Sequence, residues 1–326
     1  MNITDIAKMA DVSVSAVSRY LNNGYISEEK KQRVKEAIEK TGYKPSRQAQ
    51  MLRTKKSKVI GVVVPKISSE AVSRIVDGIS TCLSEKGYQM LIATTENNTD
   101  KEIEYLTLFD HTQVDGIIFV ATWFSKAHKT VLRKLSIPFV LVGQKYEKYA
   151  SVYNDDVNAA RELTDILLDA GCRNLACFYV TEKDEAAGFN RKKGFKKALT
   201  ARKMRANVEQ FVETDFSIES GYAAATQLLE QYPQVDGIFC ATDAIAIGAM
   251  QRLKEEGKNV PKDVRIVSIG HTRLSRVVYP KLETVHFYYK NAGIESAKMI
   301  LEMIEKEELI DRQVMLGFEI IHGESV

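Results

Sequence analysis

Continuous apolar runs that alternate with helical patterns make up most of the chain after residue 58. Such runs are typical of parallel strands whose two faces are both covered. The alternation therefore predicts an α/β body with parallel sheets. The apolar runs are 59–65, 90–93, 116–120, 139–142, 176–180, 208–212, 237–241 and 266–269. The helical patterns between them include 73–86, 158–170, 220–232 and 244–256.

One internal repeat indicates how this body is organised. The segment VDGIIF at 114–119 returns as VDGIFC at 235–240, 121 residues later. We interpret the two segments as the same strand of two similar lobes, each a doubly wound parallel sheet. Open sheets of this kind bind ligands at the carboxyl ends of their strands. The repeat therefore predicts a ligand cleft between two lobes.

The beginning of the chain has the spacing of two short amphipathic helices joined by a tight turn. Ile6 and Ala10 share one face of the first helix, and Asp11 lies at the turn. Ser13 is placed to cap the second helix, where Val17 continues the apolar face. The pattern predicts a helix-turn-helix.

The outward face of the second predicted helix carries Val14, Ser15, Ser18 and Arg19. Small side chains let a helix enter a major groove, and an arginine that pairs with guanine contributes about 1–3 kcal/mol of base discrimination. A recognition helix has this composition. A helical hairpin with an ordinary polar face remains the alternative.

A third helix completes the predicted head. Ser27 is placed to cap it, Val34, Ala37 and Ile38 form its buried stripe, and Gly42 ends it. We expect a small all-α head over residues 1–45, a hinge and linker over 46–58, and a two-lobed body over 59–326.

Charge is unevenly distributed between these parts. Residues 1–58 carry 13 Lys and Arg against 6 Asp and Glu, whereas the rest of the chain carries 33 against 37. A basic head on a mildly acidic body is suited to attraction of the phosphate backbone by the head. No apolar run approaches the ~20 residues of a membrane span, and no leader pattern is present, so we expect a cytoplasmic protein without a membrane partner.

The residues give little support for two other functional classes, an enzyme and a transport-type binding protein. The four cysteines are Cys82, Cys172, Cys177 and Cys240; they form no C-x-x-C pair, and the five histidines lack metal-ligand spacing. The first strand does not lead into G-x-G-x-x-G, and we find no P-loop or nucleophile elbow. We therefore expect no metal, no cofactor and no catalytic residues. A transport-type binding protein would need an export signal and no DNA-binding head.

The segments DIAKMADVSVSAVSRYLNN (5–23) and GYKPSRQAQMLRT (42–54) resemble the lactose/galactose repressor family, and the whole pattern is most similar to its sucrose-type regulators. The resemblance implies base reading by Val14, Ser15 and Arg19. It also implies phosphate contacts from Ser13, Asn22 and Ser27. It further implies a minor-groove hinge helix that contains Ala49 and the wedge Leu52. Asp11 replaces the usual glycine, and aspartate tolerates a left-handed backbone.

The resemblance also implies partners. A single recognition helix buries too little surface for tight specific binding, so we expect a homodimer on a near-palindromic DNA operator. The hinge, 46–53, is too short for a stable isolated helix and should fold only on DNA. The expected effector is a sugar or a sugar phosphate that acts through the cleft. A co-repressor or a protein partner in place of a sugar inducer remains the alternative.

Six residues are predicted to contact the effector. Strand ends and crossings between lobes single out Ser69, Tyr153, Asp243 and Phe287, and the resemblance adds Arg191 and Phe216. Each has an alternative role: Asp243 as the cap of a helix that begins at Ala244, Arg191 as a surface cation, and Tyr153 and Phe287 as core aromatics. Gly270 and His271 stand where the family often has an acidic pair.

Overall fold

The computed structural model describes residues 1–22, 24–43, 56–112, 114–204 and 210–326. The chain divides into two compact units, residues 1–58 and residues 59–326. The division of the first unit into a head (1–45) and a hinge (46–58) stays a prediction, because residues 44–55 lie outside the described residues.

The first unit contains the three predicted helices, α1 (Ile3–Met9), α2 (Val14–Leu21) and α3 (Glu28–Thr41). They bury one small apolar core between them. Its buried members are Ile6, Ala7, Ala10, Val17, Val34 and Ala37.

The turn between α1 and α2 is built as the sequence predicts. Asp11 has a φ of 50°, the left-handed conformation that aspartate tolerates. Ser13 caps α2 by accepting a hydrogen bond from the Ala16 amide at 3.2 Å. Ser27 precedes α3 without a side-chain capping bond, and Gly42 ends that helix at a φ of 63°. The turn and caps hold α2 at a fixed angle to α1.

In the described residues of the second unit, each of two sheets has six strands. The first sheet has the order β11-β5-β4-β3-β1-β2, and the second has the order β12-β10-β9-β8-β6-β7. The strands of the first sheet are β1 (Val59–Val64), β2 (Gln89–Thr94), β3 (Gly116–Val120), β4 (Phe139–Val142), β5 (Ser151–Asn154) and β11 (Gln313–Leu316). The strands of the second sheet are β6 (Leu175–Val180), β7 (Phe211–Thr214), β8 (Gly237–Cys240), β9 (Arg265–Ile269), β10 (Glu283–Phe287) and β12 (Phe318–Ile321).

The two sheets have the same topology. The repeated segments become β3 and β8, and each of these strands is fourth in its sheet. The predicted pair of similar parallel-sheet lobes is therefore confirmed, with one exception, since β12 runs antiparallel to β10. We call residues 59–154 with 289–316 the first lobe, and residues 156–287 with 318–326 the second lobe.

Helices cover both sheets. Those of the first lobe are α4 (Glu70–Glu85), α5 (Thr99–His111), α6 (Lys126–Leu132) and α12 (Tyr289–Lys306). Those of the second lobe are α7 (Asp156–Asp169), α8 (Arg191–Ala201), α9 (Ile218–Gln231), α10 (Asp243–Glu255) and α11 (Arg273–Val277), with a π-helical turn at Glu185–Asn190.

The packing of α4 on α12 brings two backbones unusually close. A β-carbon at Gly78 would lie 2.0 Å from the main-chain oxygen of Lys290, and one at Gly293 would lie 2.0 Å from that of Ile75. Only glycine fits at such an approach. This contact fixes the middle of α4 against the first turns of α12, which follow a chain crossing between the lobes.

The chain crosses between the lobes three times: after β5, between β10 and α12, and between β11 and β12. All three crossings lie toward the β5 and β10 side of the sheets. The opposite edges, β2 and β7, carry none. A rotation of one lobe on the other would therefore move the β2 and β7 edges most.

Candidate nucleic-acid interface and effector cleft

The outer face of α2 presents the predicted base-reading residues to solvent. Val14 is 41% exposed, and Ser15 and Arg19 are exposed as well. Val17, on the other side of the helix, is fully buried against α1 and α3. The helix therefore keeps its apolar side in the core and leaves a small-residue surface with one guanidinium outside.

The predicted phosphate contacts lie at the two ends of α2 and at the start of α3. Ser13 and Ser27 are exposed at the starts of α2 and α3, and the Ser13 hydroxyl lies 2.9 Å from the Ser15 hydroxyl. The Asn22 side-chain amide donates to the main-chain oxygen of Ser18. Ala49 and Leu52 lie outside the described residues.

One residue near α2 was not predicted. Tyr25 is 91% exposed, and the preceding Gly24 amide donates to the main-chain oxygen of Arg19 at 2.8 Å. The turn after α2 is thus tied to the position of Arg19 and carries an exposed aromatic ring.

In the second unit, the loops after the carboxyl ends of the two sheets face each other. Arg74 Nη2 of the first lobe donates to the main-chain oxygen of His271 in the second lobe at 2.9 Å. The Arg273 amide donates back to Glu70 Oε2 at 3.0 Å, and Glu70 also pairs with Arg74. These contacts close one side of the predicted cleft.

The other side of the cleft has a contact of a different kind. Lys183 Nζ, which follows β6, lies 4.9 Å from the ring centroid of Trp123, which follows β3. A hydrogen bond from Ser217 lowers the pKa of Asp215, and Lys66 of the first lobe adds to that effect. On this side, a lysine of the second lobe therefore lies over an aromatic ring of the first lobe, and a lysine of the first lobe acts on a carboxylate of the second.

Arg191 lies at the base of the second lobe and is not a surface cation. It is buried, its Nε donates to Asp156 Oδ1 at 2.8 Å, and its Nη1 donates to the main-chain oxygen of Ala241. Burial opposes its charge, but Asp156 outweighs burial and raises the pKa of the guanidinium. Arg191 therefore stays charged and joins the start of α7 to the end of β8.

A second carboxylate lies close to this pair. Asp184 is buried at the start of the π-helical turn, where it accepts from the Ala187 amide at 2.8 Å. Burial raises its pKa to about 6, although Arg191 and the amide bond oppose that shift. The turn that leads to Arg191 thus begins at a carboxyl group that titrates near neutral pH.

Asp243 is fully buried and is saturated with hydrogen bonds. Its Oδ1 accepts from Ser268 at 2.6 Å and from Thr284 at 2.7 Å, while its Oδ2 accepts from the amide and hydroxyl of Thr272. The α10 cap is Thr242, so the alternative of Asp243 as that cap is wrong. A β-carbon at Gly270 would lie 2.9 Å from Asp243 Oδ2, so this carboxylate requires glycine at that position.

The remaining predicted contacts differ in exposure. Phe216 is 46% exposed after β7, and Ser69 is half-buried at the α4 cap position, where its hydroxyl makes no capping bond. Tyr153 is half-buried on β5. Phe287 is fully buried, with the Arg191 guanidinium carbon 5.5 Å from its ring centroid.

A histidine pair lies at the closed side of the cleft. His271 Nδ1 and His286 Nδ1 are 3.2 Å apart, and the His286 ring packs edge-on against Tyr288 at a centroid distance of 5.3 Å. Burial lowers the pKa of His271, aided by Arg276 and Arg74. Burial also lowers the pKa of His286, aided by His271 and Arg74. At neutral pH both rings are therefore uncharged.

Sequence reasoning missed the residues that meet across the lobes. Trp123 could have been found, because it is the single tryptophan and comes three residues after a predicted strand. Glu70, Arg74 and Lys183 gave no such signal, since charged residues near strand ends are common on solvated surfaces.

Two further observations concern only the described parts of the chain. Within them, no group of three or more His, Cys, Asp and Glu side chains is placed to hold a metal ion. None of the helices found there combines the length and apolar character that crossing a membrane requires.

Comparison with known families gives two matches. Residues 2–46 match the bacterial regulatory proteins of the lacI family, and residues 164–326 match a periplasmic binding protein-like domain. Among curated proteins, the sucrose operon repressor of Staphylococcus xylosus is 32% identical over 318 residues and covers 98% of each chain.

Solved structures match over the whole chain. A transcriptional regulator named as a CelR–cellobiose complex is 25% identical, with a TM-score of 0.78 and 100% of each chain covered. A lac repressor dimer bound to operator and an anti-inducer has a TM-score of 0.91, with 100% of this chain and 98% of the other covered. At 22% identity the second likeness concerns the fold alone.

Proposed function

Because the chain belongs to the lacI family of bacterial regulatory proteins, we propose that it represses a sugar-utilisation operon by binding its DNA operator sequence-specifically. A sugar or sugar phosphate held between the lobes sets the affinity for that operator. The protein is a cytoplasmic regulator and not an enzyme.

The observation that carries this proposal is the outer face of α2. Val14, Ser15 and Arg19 stand outward on a helix whose opposite side is locked into the head core. A recognition helix must be packed firmly on the core of its domain in this way, because base contacts require fixed side-chain positions in the groove. We assign the flanking phosphates to Ser13, Asn22 and Ser27, and Ala49 and Leu52 are assigned to the hinge by resemblance alone.

Two copies of the chain are needed for tight binding. One recognition helix contacts only a few base pairs, so a homodimer on two half-sites of a near-palindrome multiplies the discrimination. The bodies, residues 59–326, are the larger unit and would hold the two copies together.

For the effector, we assign the cleft residues to three roles. Ser69, Tyr153 and Phe216 are its walls, and Trp123 joins them as an aromatic plate for the sugar ring. Arg191 is the charged group at the base. Asp243 and Phe287 are positioning residues, since both are fully buried and Asp243 already accepts four hydrogen bonds.

The support for a sugar comes from relatives and from these residue types. A 32% identical relative is named for the sucrose operon, and a 25% identical one was solved with cellobiose. Aromatic faces beside a few fixed polar groups are the usual lining of a small-molecule site. The co-repressor or protein-partner alternative has no comparable observation in its favour.

The test combines two measurements on the full chain. Selection from random duplexes should yield a near-palindrome, and a thermal-shift screen with sucrose, cellobiose and sugar phosphates should find a stabilising ligand. A ligand at 100 times its Kd stabilises the folded state by about 2.7 kcal/mol. Adding that ligand should weaken operator binding. Recovery of only random sequences from the selection would contradict the DNA-binding proposal, and a screen without any stabilising sugar would contradict the effector.

A further inference from the structure

The loop between β3 and α6, residues 121–125, carries Trp123, which the proposed function places against the sugar ring. Both residues that follow Trp123 are held by His128. The Ser125 amide donates to His128 Nδ1 at 3.1 Å, and the Ser125 hydroxyl lies 3.0 Å from the same nitrogen. The Phe124 ring packs edge-on against the imidazole at a centroid distance of 5.7 Å. His128 therefore fixes the chain directly after Trp123.

His128 is itself held by a buried carboxylate. The histidine is fully buried, and its Nε2 lies 2.9 Å from Oε2 of Glu102, which is 2% exposed in the first turn of α5. Because Nδ1 accepts the Ser125 amide, the hydrogen of the neutral ring belongs on Nε2, beside that carboxylate. The Thr95 hydroxyl lies 3.5 Å from the other carboxylate oxygen, and the Thr95 amide donates to the main-chain oxygen of Val64 at the end of β1. These contacts join the sheet to the loop that carries Trp123.

We propose that Glu102 and His128 are positioning residues for effector binding, which hold the Trp123 ring in the orientation that the sugar ring contacts. The inference rests on the proposed function for the role of Trp123, and it adds to that site two residues that touch no ligand. Both side chains are buried, and the imidazole packs against the rings of Phe119 and Phe124. They act on the effector only through the loop.

Capping of α6 accounts for only part of this arrangement. Ser125 and His128 form a capping box, in which the Ser125 hydroxyl also accepts the His128 amide at 3.3 Å. Glutamate or glutamine is the usual residue at the His128 position of such a box, because one acceptor oxygen is sufficient. The imidazole has a second nitrogen, and that nitrogen reaches Glu102. A buried carboxylate costs free energy and adds little net stability even when it is paired, so capping alone gives no reason for Glu102.

The loop is also held on the other side of Trp123. The Ala121 amide donates to the main-chain oxygen of Val142 at 3.0 Å, and the Gln144 side-chain amide donates to the main-chain oxygen of Ala121 at 3.3 Å. Ala121 precedes Trp123 by two residues and Ser125 follows it by two. Loss of the contact with Glu102 therefore loosens one end of the loop and leaves the other end attached to the sheet. The expected result is a displaced ring in a folded protein.

The experiment uses the fluorescence of Trp123, the single tryptophan of the chain, in the full protein without DNA or sugar. Acrylamide quenching measures how accessible the ring is to solvent, and circular dichroism checks that each variant is folded. No ligand takes part in the measurement. A failure of this inference is therefore distinguishable from a failure of the proposed function, which the sugar screen tests.

Two variants break the contact from its two sides. Glu102→Leu removes the carboxylate, and His128→Gln keeps an acceptor for the Ser125 amide while it removes the imidazole. Both should raise the acrylamide quenching constant of Trp123 and shift its emission to longer wavelength, because the ring moves toward water. Glu102→Gln keeps an acceptor oxygen for Nε2 and should restore most of the parent value. If Glu102→Leu does not fold, His128→Gln and Glu102→Gln still test the contact.

The matched control is Glu283→Leu, which removes another buried glutamate beside a histidine. Glu283 is 4% exposed at the start of β10 in the second lobe, and its Oε1 lies 2.8 Å from His322 Nδ1. This variant should destabilise the protein and leave the quenching of Trp123 at the parent value. Parent quenching in folded His128→Gln, or an equal rise in Glu283→Leu, would overturn the proposal and reduce Glu102 and His128 to a buried pair that only stabilises the lobe.

Discussion

Arg191 Nε donates a 2.8 Å hydrogen bond to Asp156 Oδ1, and both residues are buried. Asp156 is the first residue of α7, directly after the first crossing between lobes, and Arg191 is the first residue of α8. The pair thus holds together the two helix starts that form the base of the cleft in the second lobe. Because both side chains are buried away from water, the charge of each is stabilised mainly by the charge of the other.

Asp156→Ala should destabilise the body strongly. The variant leaves the Arg191 guanidinium buried without its anion, and breaking a buried pair in this way costs about 3–5 kcal/mol. Urea unfolding of the two proteins measures the difference. The control is Asp169→Ala on the same helix, which removes an exposed partner of Arg202 and should cost less than about 1 kcal/mol. Equal losses in the two variants would mean that the buried pair contributes no more than a surface pair.

Asp184→Asn should stabilise the protein at neutral pH but not in acid. The folded pKa of Asp184, about 6, lies above its ordinary value. The stability linked to this group is therefore present below about pH 4 and lost as pH rises through 6. Asparagine does not titrate and remains a good cap. The difference in unfolding free energy between variant and parent should grow by roughly 1–3 kcal/mol from pH 4 to pH 7.

A second aspartate provides the opposite sign. Hydrogen bonding from Ser217 lowers the pKa of Asp215. Asp215→Asn should therefore be less stable than the parent above about pH 4, and this deficit should shrink as pH falls below about 4. If both variants follow the same trend, the assignment of the Asp184 shift to burial is wrong.

Sequence patterns located the central strands well because those strands are buried on both faces. Runs such as 116–120 and 139–142 coincide with β3 and β4, since every side chain in them is apolar. The pattern of apolar runs missed the edge strands β11 and β12 of the two sheets. β11 and β12 have four residues each, and β12 carries Glu319 in its middle, so neither forms a continuous apolar run. β10 (Glu283–Phe287) also lies outside the predicted apolar runs.

The candidate sites were predictable to different degrees. The α2 face follows from local spacing and capping, which is why Val14, Ser15 and Arg19 stand as expected. The cleft contacts join residues that are far apart in the sequence, by 197 positions in the case of Arg74 with His271. Arg191 lies in a basic run, and only the fold shows that Asp156, 35 positions earlier, buries it. Local periodicity contains no information about such pairs.

Two serines in the head provide a matched test of capping. Ser13→Ala removes the hydrogen bond to the Ala16 amide and should destabilise the head by about 0.5–2 kcal/mol. Ser27→Ala removes a hydroxyl that makes no capping bond, so its effect should be only a few tenths of a kcal/mol. Amide hydrogen exchange in α2 and α3 reports each loss separately. A larger effect at Ser27 would contradict the capping geometry.

Trp123→Ala should weaken sugar binding while it leaves operator binding unchanged. The ring is 37% exposed at the cleft, and burying an aromatic face under a ligand contributes about 1.5–3 kcal/mol. The midpoint of the sugar-dependent thermal shift should move about tenfold or more. Leu108→Ala removes a similarly exposed apolar side chain from α5 and should change neither property. A wild-type sugar response in Trp123→Ala would place the effector elsewhere.

Base reading by Arg19 predicts a loss that depends on the DNA sequence. Arg19→Ala should weaken binding to the selected operator by about 1–3 kcal/mol and relax the preference at one position in each half-site. Binding to random duplex should fall much less.

Arg19→Lys keeps the charge but loses the planar guanidinium that pairs with guanine. This variant should therefore retain the salt dependence of binding and still lose the base preference. Lys30→Ala, an exposed cation at the start of α3, should instead weaken both duplexes alike and flatten the salt dependence. Titrations of both duplexes at several salt concentrations separate these outcomes. Equal losses on operator and random DNA in Arg19→Ala would reduce Arg19 to a phosphate contact and leave the reading of bases to Val14 and Ser15.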